Sequence, residues 1–94
     1  MTEIKHVNHG SKGSFDIYYE GKKAGSMTYT SAGDDKFIID HTEVGEEFGG
    51  KGLAKKLVFE GARYARENGK KVIPLCTYAK ATFDKNKEIQ DVLA

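Results

Sequence analysis

Apolar residues in the first half of the chain recur every second position, and after Gly45 they recur every third or fourth. The chain therefore divides into strands followed by a helix. Ile4 to Val7 reads as a short strand, closed by the dense turn signal Asn8-His9-Gly10-Ser11-Lys12-Gly13. Phe15, Ile17 and Tyr19 alternate with Asp16 and Tyr18, the spacing of a half-buried strand. Glu20-Gly21-Lys22-Lys23 turns the chain into a returning strand with Met27 and Tyr29 on one face, a hairpin. A turn at Ser31 to Asp35 leads into Lys36 to Val44, the strongest strand signal. Its consecutive Phe37-Ile38-Ile39 predicts cover on both faces and a central place in the sheet.

Leu53, Leu57, Val58, Gly61, Ala62 and Ala65 form one helical face, while Lys55, Lys56, Glu60, Arg63 and Glu67 take the other. Asn68-Gly69 ends this helix, with glycine available for a left-handed cap. Lys71 to Cys76 is a short strand, parallel to its partner if it rejoins the sheet after a helical crossover. Thr77 is a candidate cap for a short helix from Tyr78 to Asp84, and Lys87 to Leu93 adds a turn or strand. The order predicts an α+β fold: an antiparallel strand meander, a helix behind a glycine loop, then a parallel strand and a short helix.

Size narrows the possibilities. With 94 residues, the chain is expected to form one domain over residues 1–94, burying roughly 64% of its unfolded surface. Any active site must then be built from one sheet and its loops. No apolar run approaches the ~18 residues of a membrane span. The opening Met-Thr-Glu-Ile-Lys-His carries no apolar stretch, which suggests a cytoplasmic protein. The single cysteine, Cys76, excludes an internal disulfide and a cysteine-rich zinc site, and no metal is expected.

Charge is uneven along the chain. Residues 1–47 carry 5 basic and 9 acidic residues, a net of −4, and residues 48–94 carry 10 and 5, a net of +5. The switch falls where Gly49-Gly50-Lys51-Gly52-Leu53-Ala54 begins, between the best strand and the best helix. The usual helix cap is Ser, Thr, Asp or Asn. Glycines stand there instead, offering no side-chain acceptor but allowing close approach to the backbone. Lys51, Lys55 and Lys56 also crowd the positive end of the helix dipole. An anion such as a phosphate would satisfy both features. The alternatives are a flexible turn, with Glu46 and Glu47 offsetting the lysines, and a lysine-rich helix whose outer face is simply solvated.

Three phosphate-loop patterns compete. Gly45 to Gly52 nearly matches the nucleotide-binding GxxxxGK[ST], but Gly52 lacks the hydroxyl that holds magnesium. Gly49-Gly50-Lys51-Gly52 also matches the GxxG of the KH RNA-binding module, although that loop joins two helices. The third pattern fits best. From Asp40 onward the chain resembles the GNAT acyltransferase superfamily, in particular its minimal single-domain members. Its [Q/R]-x-x-G-x-[G/A] loop is seen in Gly50-Lys51-Gly52-Leu53-Ala54, with Gly49 in place of the expected Gln or Arg. The small subfamily's His-Thr-Glu-Val is seen at His41-Thr42-Glu43-Val44, and its Pro-x-Cys at Pro74-Leu75-Cys76. The aromatic that follows is Tyr78, continuing through Thr82-Phe83; the resemblance covers residues 14–93.

The resemblance implies a GNAT-like fold that binds acetyl-CoA as cosubstrate. Amides of Gly49, Gly50, Lys51, Gly52, Leu53 and Ala54 would hold its pyrophosphate, and the strand from Thr42 to Val44 would pair with its pantetheine amides. Transfer to an amine needs a base for the ammonium and a proton donor for the leaving thiolate. His41 and Glu43 lie two apart on a strand, hence on one face, and either is a candidate base or a structural pair. Cys76 stands at a strand end before a helix start, where a thiol pKa falls below its usual ~8.5. It is a candidate acetyl carrier, a proton donor to departing CoA, or an inert buried thiol. Direct transfer in a ternary complex would leave Tyr78 as the donor.

His6 and His9 read as polar loop residues, and the five Tyr and five Phe as mostly core, with no base-stacking platform. The leading expectation is an N-acetyltransferase acting on an unidentified amine. A non-catalytic acyl-CoA-binding module is second. A nucleic-acid-binding domain is third, disfavoured by the net charge of +1.

Overall fold

A computed structural model describes all 94 residues. Five strands form one sheet in the order β1-β2-β3-β4-β5: β1 (Thr2–His9), β2 (Lys12–Tyr19), β3 (Lys22–Ser31), β4 (Lys36–Val44) and β5 (Lys71–Pro74). The first three pairings are antiparallel, and β4 with β5 is parallel. That parallel return requires a crossover, supplied by α1 (Leu53–Glu67). A short helix α2 (Thr77–Lys85) follows β5. A 3₁₀ segment, Lys87–Val92, then ends in a parallel bridge from Leu93 to Val72. The tail is thus both a turn and a fragment of strand.

The first half pairs as its alternation predicts, with longer strands. The turn between β1 and β2 narrows to Gly10-Ser11, because the Asn8 side chain accepts the Gly10 N–H at 2.9 Å and closes it locally. Glu20 and Gly21 form the next turn with φ of 51° and 82°, the positive pair that matches the twist of a two-residue hairpin.

Phe15 and Ile17 on β2, Met27 and Tyr29 on β3, Phe37 and Ile39 on β4, and Val72 on β5 bury one sheet face against Leu57, Val58, Ala62 and Ala65 of α1. Ala79 and Phe83 of α2 and Ile89 and Val92 of the tail complete the same 17-residue core. Burying each large aliphatic or aromatic side chain contributes about 1.5–3 kcal/mol. Gly69, at φ 64°, forms the left-handed end of α1, and the Lys70 amide reaches back to the Ala65 carbonyl at 2.8 Å.

The other sheet face has no helix across it. Ser14, Ser26, Thr28 and Ile38 occupy it, so the predicted double cover of Phe37-Ile38-Ile39 is not found. Phe37 and Ile39 are buried, whereas Ile38 is half-buried. The strand is interior by its pairing, between β3 and β5, rather than by cover. No helix is long and apolar enough to cross a membrane.

Candidate functional site

Three local features of the backbone converge around the end of β4. The first is a bulge. Thr28 pairs with His41 and Tyr29 with Ile39, so Asp40 is an extra residue that bends β4. The second is where β5 leaves. Its last register pair is Ile39 with Pro74, and the amides of Leu75 and Cys76 both donate to the Ile39 carbonyl, each at 3.2 Å. The strand therefore stops at Pro74, two residues short of the predicted Cys76. Beyond Ile39, β4 runs on to Val44 with β3 on one side and no strand on the other, which leaves a cleft.

The third feature is the start of α1. A 3₁₀ turn, Glu46–Phe48, precedes the glycines, and Gly52 caps the helix in the left-handed region without any side-chain hydrogen bond. No acidic residue stands in the first helical turn. The amides of Gly50, Lys51, Gly52, Leu53, Ala54 and Lys55 donate to no acceptor of the chain; the pattern resumes with Lys56 to the Gly52 carbonyl. Gly50 and Gly52 have φ of 77° and 71°, and a Cβ at either would meet open space. Unpaired backbone donors at a helix start, with nothing crowding the backbone at Gly50 or Gly52, are the features that suit an anion. Lys51 lies over the Tyr19 ring at 4.8 Å and Lys55 over Phe59 at 5.4 Å, which orders both stems along the helix start.

The cleft ends at Cys76. This residue, not Thr77, is the N-cap of α2, and Thr77 is the first helical residue. Cys76, Tyr78, His41 and Thr42 line one cavity of about 400 Å³ together with Asp40 and Leu75. Burial, the largest single influence, pushes the Cys76 thiol up. The Ala79 amide, the Thr42 hydroxyl, the Tyr78 amide and the Thr42 amide together outweigh it and hold the thiol below its usual range. The Thr42 hydroxyl is buried and has no hydrogen-bond partner within the chain, which leaves its dipole free beside the thiol.

His41 and Glu43 share the helix-free face, as their spacing predicts, with Nε2 and Oε2 3.7 Å apart. Both are largely exposed, so the pair contributes little to stability. Only His41 reaches the Cys76 cavity. Glu43 lines a separate one with Lys23, Ser26 and Val44.

Two residues at the cleft carried no signal in the alternation. Asp40 sits in a strand-like run, and only the register with β3 shows it to be a bulge. Leu75 reads as another strand residue but is 69% exposed. His6 also departs from its reading as a loop residue. It lies within β1, stacks on Phe15 at 4.5 Å, and shares a 2.5 Å hydrogen bond with the Tyr29 hydroxyl. His9 closes the same strand. The largest concavity, about 700 Å³, lies where β1, α1 and the tail meet, away from the cleft. Its arginines are already paired, Arg63 with Glu60 and Glu67, and Arg66 with Asp91.

Comparison with known proteins places the chain in a family. Residues 14–92 match the model of the GCN5-related N-acetyltransferase family. A GCN5-like protein from Staphylococcus aureus, solved by NMR, is 36% identical; the alignment covers 98% of this chain and 87% of that one, with a TM-score of 0.73. The chain belongs to the GCN5-related N-acetyltransferase family. Its fold is shared with a Bacillus subtilis acetyltransferase solved in complex with CoA, at 12% identity over 90% of this chain and 74% of that one, with a TM-score of 0.71. It is shared also with a GNAT family acetyltransferase from Elizabethkingia anophelis with acetyl-CoA bound, at 13% identity, 78% and 63% coverage, and a TM-score of 0.67. The chain thus spans less than two thirds of that larger protein. No curated protein matches the sequence.

Proposed function

We propose that the protein transfers an acetyl group from acetyl-CoA to an amine. The observation that carries this reading is the run of amides from Gly50 to Lys55, free of any acceptor of the chain and uncrowded at Gly50 and Gly52, one connection away from the β4–β5 cleft. The amides hold the pyrophosphate, with Gly49 leading the chain into the loop. The edge of β4 from Thr42 to Val44 pairs with the pantetheine amides along the side that β5 leaves open.

At the end of the cleft, the Ala79 and Tyr78 amides and Thr42 hold the Cys76 thiol below its usual range. As a thiolate it accepts the acetyl; as a thiol it protonates the departing CoA thiolate. His41 lines the same cavity and takes the proton of the acceptor ammonium. Glu43 supports His41 across 3.7 Å, and Tyr78 is the proton donor if transfer is direct. A working Cys76 needs reducing conditions, which fits the cytoplasm.

The test is an amide-shift titration of labelled protein with acetyl-CoA, with CoA and a short RNA as controls. Shifts at Thr42 to Val44, Gly49 to Ala54 and Cys76 to Tyr78 are expected with both acyl and free CoA, and none with RNA. Unchanged spectra at millimolar acetyl-CoA sink the proposal. Binding without turnover of any amine would instead favour a non-catalytic acyl-CoA-binding module. For Cys76, a Cys76→Ala variant with undiminished turnover and no loss of acetyl-enzyme removes the thiol from the reaction.

A further inference from the structure

The composition of the Cys76 cavity selects among amines. Three large apolar side chains are exposed in the whole chain, Met1, Leu75 and Tyr78, and two of them flank Cys76. Leu75 lies two residues beyond Ile73, whose partner in register is Ile38, and both isoleucines are half-buried. An apolar strip thus runs along the edge of the sheet beside the cavity, which Leu75 lines.

Asp40 stands at the border of that strip. The bulge places it in the cavity, where one carboxylate oxygen accepts the Thr30 hydroxyl at 2.8 Å. No lysine or arginine pairs with it, and none lines the cavity. Asp40 is exposed and also borders a second concavity holding His9 and Lys12, but on the Cys76 side the chain offers its carboxylate no cation, and a ligand can supply one.

We infer that the acceptor is a primary amine on an apolar body with no anionic group. Asp40 receives its ammonium, and Leu75 and Tyr78 cover its apolar part. This rests on the acetyl-transfer reading and narrows it. A phosphate or carboxylate on the acceptor would meet Asp40 with no cation to offset it. A second ammonium, as in a polyamine, would lie against the apolar strip without a partner. One ammonium proton passes to His41. The nitrogen lone pair then forms the C–N bond to the acetyl carbon as its C–S bond breaks. The departing thiolate takes its proton from Cys76 or Tyr78, and the second proton lost from nitrogen restores that donor.

The experiment compares phenethylamine, spermidine and glucosamine 6-phosphate as acceptors for the intact protein, alongside Asp40→Asn and Leu75→Ser variants. Acetyl-CoA binding is followed in parallel by amide shifts, which also report that each variant is folded. Phenethylamine is expected to show kcat/KM about tenfold or more above the other two. Asp40→Asn should raise its KM about tenfold while leaving acetyl-CoA binding unchanged. Leu75→Ser should lower its kcat/KM about tenfold. Preference for spermidine or the sugar phosphate overturns the inference, as does an unchanged KM in both variants. If acetyl-CoA binds but none of the three amines is acetylated, the acceptor class falls and the cosubstrate site stands. If acetyl-CoA does not bind, both fall.

Discussion

The surroundings lower the pKa of both Cys76 and His6, favouring the charged form of the thiol and the neutral form of the imidazole, and each gives a measurable titration. The Cys76 thiol is held low because the α2 amides and Thr42 favour its charged form over the penalty of burial. Alkylation by iodoacetamide should therefore reach half-maximal rate at a pH below that of a free cysteine peptide. Thr42→Val removes one of the stabilising groups and should move the midpoint back up, while Thr42→Ser should preserve it. A midpoint identical in all three proteins would show that Thr42 has no hold on the thiol. His6 is lowered as well, but toward its neutral form. Burial lowers its pKa below 6.5, opposed by the negative charge of Glu60. The unfolded chain therefore binds this proton at higher pH than the folded one. The stability it contributes is complete above about pH 6.5 and is lost as the pH falls below that. His6→Gln, which keeps a partner for Tyr29 but does not titrate, should flatten the melting temperature between about pH 6.5 and 5. Equal slopes for the two proteins would refute this. Neither environment could be read from the residue alone, since His6 became a packed residue only when Phe15, Tyr29 and Tyr64 closed around it.

Helix and strand identity were legible because they depend on periodicity. The six apolar positions assigned to α1 are the six that the fold buries. Their helical spacing leaves no competing face. What periodicity could not show was where β4 and β5 part. A bulge inserts one residue without changing local composition, so Asp40 looks like any polar strand residue. The end of β5 also depends on two amides sharing the Ile39 carbonyl, a contact across 36 positions of sequence. The glycine loop was legible for the opposite reason: the residues are wrong for an ordinary cap. That reasoning gives a direct test. Gly52→Ala adds a Cβ in open space, so its cost in the free protein is that of holding alanine at φ 71°, about 1 kcal/mol. Its effect on acetyl-CoA should be larger, because the same methyl intrudes where the backbone must be approached. An affinity loss of about tenfold or more is expected by titration, against a modest loss of stability in urea. Gly10→Ala, also at positive φ and in open space but far from the loop, should lower stability similarly and leave affinity unchanged. Equal affinity losses for both variants would mean that the effect is general destabilisation rather than a blocked cradle.

At the scale of the molecule, site and core are one object. The elements that bear the cleft, β4, β5, α1 and α2, bury their other sides in a single 17-residue cluster that also holds β2, β3 and the tail. The tail is fastened to α1 by Arg66, which binds the Asp91 carboxylate and the Glu88 carbonyl. Nothing divides the cleft from the rest, so it should be lost only when the whole chain unfolds, in one transition. A ligand confined to the folded state then stabilises the entire molecule. At a hundred times its dissociation constant, acetyl-CoA should add about 2.7 kcal/mol. In a chain this short that raises the melting temperature by about 10–20 °C. The uneven charge adds a second signature. A polyanion drawn to the basic half should bind more weakly as salt rises, so the increment in melting temperature at fixed acetyl-CoA should shrink with ionic strength. Calorimetry with and without acetyl-CoA at two salt concentrations reads both effects. Two separate transitions would show that the cleft opens on its own. A single transition whose midpoint ignores acetyl-CoA would mean that the free amides of the loop serve some other anion.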